Sequence, residues 1–166
     1  LVASTDGVGT KVELAERLGR RRGVGHDIVN HCINDVLVQA ARPLFFLDYI
    51  AASRLDADVV ADVVAGMAEA CDAAGCALLG GETAEHPGVL GADEYDLSAS
   101  GVGVVEADEV LGPDRVRPGD AVIAMAASGL HANGYSLVRQ IVREIPLDST
   151  DLGLPLGEVL LTPTRI

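Results

Sequence analysis

Residues 44–79 read LFFLDYIAASRLDADVVADVVAGMAEACDAAGCALL, and this stretch indicates the architecture most directly. Residues 44–53 are mostly apolar and β-prone, which predicts a buried strand. Asp56 or Asp58 then supplies an N-cap for a helix to about Ala74, because aspartate is favourable at the positive end of the helix dipole. Gly75 follows as a helix stop, and residues 76–79 predict a second, short strand. The stretch therefore predicts two strands joined by a helix.

The sequence before this stretch predicts three more elements. Residues 1–4 indicate the end of a strand, and a glycine-punctuated loop over 5–11 leads to a short helix over 12–18. From about residue 26 to residue 40, apolar positions recur at helical spacing, which predicts a helix that Pro43 closes.

Downstream, the composition predicts a boundary between two domains. Residues 96–106 have strand character, whereas the following residues are rich in charge, Gly and Pro. We therefore expect an N-terminal domain over 1–106, a linker over 107–119 and the beginning of a second domain over 120–166. Within the second domain, the pattern predicts a strand over 121–127 and a helix over 135–144.

Composition and charge exclude several classes of function. A chain of 166 residues with 49% hydrophobic residues can bury a sizeable core, and its net charge of −13 argues against a nucleic-acid or anionic-membrane surface. An acidic chain that handles phosphates needs Mg²⁺ and backbone N–H groups to offset that charge. The odd count of three Cys favours a reduced, cytosolic context, with Cys71 and Cys76 as small buried side chains. We find neither a membrane-spanning run nor a signal-peptide pattern.

The first candidate functional segment is the loop DGVGTK at residues 6–11. Gly7 and Gly9 allow a ligand to approach the backbone, and such turns present N–H groups to anions. Asp6 is a candidate Mg²⁺ ligand, and Lys11 is a candidate phosphate contact that acts as a point charge. The alternative is an ordinary turn with an exposed lysine.

The second candidate is Asn34-Asp35 on the predicted helix. Asp27, His31 and Asp35 are spaced i, i+4, i+8 and therefore share one helix face. Carboxylates on an otherwise apolar helix are costly to bury unless they meet a cation, so this face is either a cation site or a solvated stripe. His31 is interpreted as a hydrogen-bonding or solvated residue rather than a ligand, because Mg²⁺ prefers oxygen and zinc requires several His or Cys ligands.

Two further segments combine glycine with polar side chains. Residues 80–88 read GGETAEHPG, where Glu82 is the candidate acidic ligand and Thr83 supplies a hydroxyl; a capping turn is the alternative. Residues 128–134 read SGLHANG and precede a predicted helix whose N-terminus favours an anion; plain N-capping by Asn133 is the alternative. No GxSxG, P-loop or HExxH motif supports a serine hydrolase, a Walker NTPase or a zincin.

Several longer strings occur in one order and resemble the aminoimidazole ribonucleotide (AIR) synthetase family, the phosphoribosylformylglycinamidine cyclo-ligases of purine biosynthesis. They are STDGVGTK at 4–11, ND with VLVQAARPLFFLDYIA at 34–51, GGETAEHPG at 80–88, SGxHxNGYSLVR at 128–139 and LTPTRI at 161–166. The resemblance extends over the whole chain, and the long strings are specific, whereas a single glycine loop is not.

The resemblance implies both a fold and an activity. It implies an α+β-type N-terminal domain, whose mixed sheet pairs with that of a second subunit in a barrel, followed by the start of a C-terminal α/β domain. It also implies a cytoplasmic homodimer that uses ATP and Mg²⁺ to close the imidazole ring of formylglycinamidine ribonucleotide, with release of ADP and phosphate. Such catalysis depends on positioning and charge neutralisation more than on a nucleophilic side chain.

The resemblance also assigns roles to residues at matching positions. Asp6, Asp35 and Glu82 are the implied metal ligands. Asp35, His131 and Asn133 are implied at the reacting groups, with His131 a candidate proton donor or oxyanion partner. The implied nucleotide contacts, with Ser128 also lining the substrate side, are Asp6, Gly7, Gly9, Thr10, Lys11, Asn34, Gly80, Gly81, Glu82, Thr83 and Ser128.

The chain departs from the family pattern at its ends and at three histidines. The resemblance predicts that a leading segment and the later half of the C-terminal domain are missing, so that residues 1–166 alone are inactive. His86 stands where many members carry Met, and the roles of His26, His31 and His86 stay open. The alternatives are another ATP-using superfamily member (selenophosphate synthetase, thiamine-monophosphate kinase or hydrogenase-maturation dehydratase) or a non-catalytic nucleotide-binding or dimerisation module.

Overall fold

The computed structural model describes residues 1–166 and has a four-stranded sheet at its centre. A single 3-10 turn, Pro113–Arg115, lies in an exposed part of the chain. In chain order the strands and helices are β1 Val2–Gly7, α1 Lys11–Arg17, α2 Arg22–Leu37, β2 Arg42–Ala52, α3 Ala57–Ala74, β3 Ala77–Glu85, β4 Tyr95–Val104, α4 Tyr135–Ile141 and α5 Leu156–Leu160.

The sheet is mixed, with the strand order β1-β4-β2-β3. β4 pairs antiparallel with both β1 and β2, whereas β2 and β3 are parallel and are joined by α3. A parallel pair requires such a crossover, because a short turn can only join antiparallel strands. β1 and β3 are therefore the two edge strands.

Helices α2 and α3 pack against one face of this sheet. Phe46, Ile50 and Leu97 point to that face and are at most 2% exposed, whereas Leu47 on the other face is 39% exposed. This alternation follows from the two-residue period of a strand. The core therefore lies between the sheet and the two helices, and the opposite face is open.

Local signals correctly predicted the limits of α3. Asp56 is its N-cap, and Oδ1 of Asp56 accepts hydrogen bonds from the amides of Asp58 and Val59 at 2.9 and 3.2 Å. Gly75 ends the helix in the left-handed conformation at φ 66°, where a residue without a Cβ has no steric penalty.

Helices α2 and α3 cross in direct backbone contact at two buried glycines. A Cβ added to Gly66 would overlap the carbonyl of Arg22 and would lie 3.0 Å from its carbon. A Cβ added to Gly25 would lie 2.8 Å from the amide nitrogen of Met67. Because backbone atoms cannot rotate away, these two positions set how closely α2 approaches α3.

Two strand boundaries differ from the sequence prediction because strand pairing extends β1 and β3 beyond their local signals. The predicted turn GGETA belongs to β3, which pairs with β2 as far as Glu85. Asp6 and Gly7 belong to β1, opposite Ala99 and Ser98. α2 begins earlier than predicted, at Arg22, and ends at Leu37.

The predicted strand over 121–127 is wrong, since these residues form no ladder with any other segment. Val122, Ile123 and Met125 are 97, 83 and 90% exposed. A strand requires a neighbour to accept and donate its backbone hydrogen bonds, and none lies beside this segment. α4 is also shorter than predicted and ends at Ile141.

The second half of the chain joins the same core through a few side chains. Tyr135, Leu156 and Leu160 pack with Leu14 and Val24 of the first half in one hydrophobic cluster. None of the helices has both the length and the apolar composition that crossing a membrane requires.

Candidate functional site

The carboxylates of Asp6 and Asp35 lie near one edge of the sheet, where β1 packs against α2. The Ser4 hydroxyl donates to Asp35 Oδ2 at 2.8 Å, and the Gly7 amide donates to Asp6 Oδ1 at 2.7 Å. His31 Nδ1 is 3.4 Å from Asp6 Oδ2, and its imidazole is 8% exposed. The structure thus brings two of the three predicted metal ligands to one surface.

The predicted polar face of α2 is divided between the interior and the solvent. Asp27 and His31 are buried, whereas Asp35 is exposed. The solvated-stripe interpretation is therefore wrong for Asp27 and His31. Burial of the Asp27 carboxylate is offset by a cation of the protein itself, the side chain of Lys11.

Lys11 lies in the interior rather than at the surface. Its Nζ is 2.7 Å from Asp27 Oδ2, and both side chains have 0% exposure. Nζ also donates to the carbonyls of His131 at 2.8 Å and Thr162 at 3.0 Å. Burial lowers the pKa of Lys11 below its ordinary value, although the Asp27 carboxylate opposes this change. The exposed-lysine alternative is wrong, and because the Lys11 side chain is fully buried, its ammonium is not accessible to a phosphate in this structure.

Polar side chains of α2 also hold the end of the chain. Asp27 Oδ1 accepts from both the amide and the hydroxyl of Thr164 at 2.7 Å. The amides of Asn30 and Asn34 donate to the carbonyls of Thr164 and Arg165 at 2.7 and 2.9 Å. Asn30 and Thr164 were not among the predicted site residues. The spacing of positions 27, 30 and 34 on one helix face is the signal that could have indicated this contact.

The loop over 128–134 packs against the same end of the chain. The Ser128 hydroxyl donates to the Pro163 carbonyl at 2.6 Å, and the Ser128 amide donates to His131 Nε2 at 3.4 Å. Asn133 is exposed, and the N-cap of α4 is Gly134 with no side-chain hydrogen bond. The N-capping alternative for Asn133 is therefore wrong.

A cleft of about 320 Å³ opens beyond the end of β1. Gly9 and Thr10 line it together with Glu13 and Arg139, and the hydroxyls of Thr10 and Ser136 are 3.1 Å apart at its side. Ligands of α/β proteins commonly bind outside the carboxyl ends of strands, and this volume suits a small molecule. The lining also includes the acidic residues Glu16, Asp93, Glu94 and Asp96, so an anion here requires a cation beside it.

The predicted segment over 80–83 lies on β3, at the other edge of the sheet from Asp6. The strand register relates Asp6 to Gly81 through Ala99 and Asp48, so these positions form one row across the sheet. Three strand spacings separate the ends of this row, a distance of about 14 Å. Within one chain, the structure does not bring residues 80–83 to the carboxylates of Asp6 and Asp35.

Gly81 and Glu82 have specific local contacts on β3. A Cβ at Gly81 would overlap the Asp48 carboxylate, and burial raises the pKa of Asp48. Oε1 of Glu82 accepts from the amide of Thr83 at 2.9 Å. The side chain of Glu82 is exposed and open to a further partner.

The donor chemistry at Asp6 and Asp35 fits Mg²⁺ but does not form a complete site. Both carboxylates are exposed, and Mg²⁺ is commonly held by one or two carboxylates together with substrate phosphates. No group of three or more His, Cys, Asp or Glu side chains lies close enough to hold a metal by protein ligands alone. A metal at this surface would therefore depend on oxygen atoms from a bound anion.

Comparison with known proteins gives matches over nearly the whole chain. Residues 1–105 match the model for the AIR synthase related protein N-terminal domain, and residues 117–166 match that for the C-terminal domain. The chain is 56% identical over its full length to the phosphoribosylformylglycinamidine cyclo-ligase of Thermosynechococcus vestitus, of which it covers 50%. It is 52% identical to 17% of the trifunctional purine biosynthetic protein adenosine-3 of Gallus gallus. The chain spans about half the length of the single-function relatives it matches.

Solved structures of the same architecture include the hydrogenase maturation protein HypE in complex with ATP. That protein is 28% identical, with a TM-score of 0.63 over 90% of this chain and 42% of its own. Thiamine monophosphate kinase from Aquifex aeolicus has a TM-score of 0.64 over 99% of this chain and 51% of its own, and at 20% identity it shows the fold alone. Because the N-terminal model matches residues 1–105 of 166, this chain belongs to the AIR synthase related protein family.

Proposed function

We propose that this chain is part of an ATP-dependent phosphoribosylformylglycinamidine cyclo-ligase of purine biosynthesis. The observation that carries the proposal is 56% identity, over the full length of the chain, to a protein of that name. The exposed carboxylates of Asp6 and Asp35, beside the glycine-rich end of β1, support the handling of a magnesium-bridged phosphate.

In the proposed reaction the γ-phosphoryl group of ATP is transferred to the amide oxygen of formylglycinamidine ribonucleotide. The amidine nitrogen then attacks the activated carbon, so that a C–N bond forms, the C–O bond to phosphate breaks, and the nitrogen loses a proton. Bound Mg²⁺ would neutralise the charge of the transferred phosphoryl group. Asp6 and Asp35 would hold that ion, and backbone N–H groups near Gly7 and Gly9 would face the phosphates.

On the substrate side, we assign Ser128, His131 and Asn133 to the binding of the ribonucleotide. His131 is the candidate to accept or donate the proton of ring closure, because an imidazole has one ring nitrogen that can donate a proton and one that can accept it. Lys11 has no role as a phosphate ligand in this proposal, since its ammonium is already held by three acceptors.

We further propose that the site is completed in a homodimer. Residues 80–83 lie at one edge of the sheet and Asp6 at the other, so a second copy is needed to bring Glu82 toward the Asp6–Asp35 surface. The open sheet face exposes Leu47, and the edge strand β3 exposes Leu79, which is 65% accessible. An uncovered apolar strand of this kind favours pairing with another chain. All three cysteines are free, in accord with a reducing cytoplasm.

The activity is tested with the product of the complete gene, by measuring phosphate release from ATP. We expect release with formylglycinamidine ribonucleotide and none with thiamine monophosphate or selenide. Equal phosphate release with thiamine monophosphate or selenide would assign the protein to another branch of the superfamily. Absence of release with all three, with nucleotide binding retained, would favour a non-catalytic module.

The metal assignment is tested by Asp35→Asn, which we expect to weaken Mg²⁺-ATP binding about tenfold or more, the scale of a lost charged contact. Asp72→Asn, at an exposed position of α3, is the matched control. Unchanged calorimetric affinity in Asp35→Asn would remove Asp35 from the site.

The dimer is tested by light scattering at micromolar concentration, where a monomer that still turns over would contradict the composite site.

A further inference from the structure

Lys11 connects four segments that are distant in sequence. It begins α1 directly after the glycine-rich loop, it pairs with Asp27 of α2, and it donates to the carbonyls of His131 and Thr162. Its ammonium also lies 5.4 Å from the ring centre of Tyr135, whose hydroxyl donates to the Leu130 carbonyl at 3.0 Å.

We propose that Lys11 and Asp27 form a positioning pair. The pair holds the loop over 128–134 and the segment over 162–165 in a fixed position relative to the loop before α1. This inference rests on the proposed cyclo-ligase function for its kinetic consequences. Neither residue touches substrate or nucleotide in it. Their effect is exerted through the backbone of His131 and Thr162.

The Lys11 ammonium is surrounded by three oxygen atoms. It donates hydrogen bonds to the carbonyls of His131 and Thr162, and it forms an ion pair with Asp27 Oδ2 at 2.7 Å. Because a lysine ammonium has only three N–H groups, these contacts leave none for another partner. The second oxygen of Asp27 is occupied by the amide and hydroxyl of Thr164. Because both side chains are fully buried, solvent cannot replace either partner if the other is lost.

A role in stability alone does not account for this arrangement. Buried ion pairs are often replaceable by apolar residues of similar volume without loss of stability. What an apolar pair cannot provide is a fixed direction for the carbonyls of His131 and Thr162. That direction determines where the loop over 128–134 lies relative to Gly9 and Thr10, and a displacement of about 1 Å at reacting groups can cost about 100-fold in rate.

The test compares Lys11→Met, Asp27→Asn and the double variant Lys11→Met/Asp27→Leu in the product of the complete gene. The single Lys11→Met variant leaves a buried carboxylate unpaired and should lower the melting temperature. The double variant should recover at least half of that loss. We expect its kcat to stay about tenfold or more below that of the wild type, with the KM for ATP within about threefold, because positioning and not nucleotide contact is lost.

Arg20→Gln is the matched control, because Arg20 pairs with Glu158 at 3.4 Å and also joins the two halves, but at the exposed surface. It should leave kcat unchanged. A double variant that recovers both stability and kcat would reduce the pair to a structural role. A Lys11→Met variant with raised KM for ATP and unchanged kcat would assign Lys11 to nucleotide binding and would contradict the positioning role.

Hydrogen exchange gives a second readout that does not depend on turnover. In the double variant and in Asp27→Asn, we expect faster exchange in residues 128–134 and 162–165, with α3 unchanged. Uniformly faster exchange, or none, would contradict the positioning role. If the wild type shows no turnover, the proposed function fails, and the exchange pattern still decides the inference.

Discussion

The contact between α2 and α3 can be tested by adding one methyl group at Gly66. In Gly66→Ala the new Cβ would lie 3.0 Å from the carbonyl carbon of Arg22, where ordinary contact begins at 3.4 Å, and nearer still to its oxygen. The helices must therefore separate by more than the few tenths of an ångström that the contact with the carbon alone would require. A gap of about 0.5 Å or more forfeits about a quarter of the dispersion energy of the facing side chains. Overpacking of this kind costs about 1–3 kcal/mol.

Helix propensity acts in the opposite direction, since replacing Gly by Ala inside a helix gains about 1 kcal/mol. Because the obstructing atoms belong to the backbone, we expect a steric cost at the upper end of this range, about 3 kcal/mol, and therefore a net loss of about 2 kcal/mol. Urea denaturation followed by circular dichroism measures it, and the melting temperature should fall by about 4–8 °C. Ala68→Gly, at an exposed position of the same helix, calibrates the propensity term. A Gly66→Ala protein more stable than the wild type would refute the direct backbone contact.

Three further outcomes follow from Asp48, from Gly81 and from the cysteines. Burial raises the pKa of Asp48, so its ionisation lowers the free energy of unfolding as pH rises through the folded pKa. Asp48→Asn should therefore be more stable than the wild type at pH 7 and equal to it near about pH 3. The same difference in urea midpoint between the two proteins at both pH values would contradict this. Gly81→Ala should destabilise by about 1–3 kcal/mol through overlap with Asp48, whereas Gly80→Ala, with open space around its Cβ, should change the unfolding free energy by less than about 0.5 kcal/mol. Burial raises the pKa of Cys32 to about 11, and all three cysteines are buried, so a thiol reagent at pH 8 should react with none of them in the folded protein and with all three in urea; fast labelling of the folded protein would show that the core opens.

Local signals were sufficient where neighbours in sequence are also neighbours in space. Asp56 and Gly75 cap α3 as expected, because capping involves only the first and last turns of the helix. The same reasoning failed for residues 80–85. Two glycines followed by Glu and Thr indicate a turn locally, but parallel pairing with β2 keeps them extended. The prediction was also wrong over 121–127, where β-prone residues indicate a strand but no other strand lies beside them.

The pattern of residues alone established the order of most elements, the acidic character of the chain and the candidate segments, because periodicity, caps and charge are properties of short stretches. The strings that resemble AIR synthetases also carried the family assignment, which the comparisons confirm. Whether each polar side chain is buried or exposed, and which partner it contacts, depends instead on contacts between distant segments. Lys11 meets His131 and Thr162 across 120 and 151 residues, and no local rule distinguishes such a buried lysine from a phosphate ligand. The pairing order of the strands likewise places Asp6 and Gly81 at opposite edges of one sheet, since long-range hydrogen bonds, and not local preference, determine which strands are neighbours.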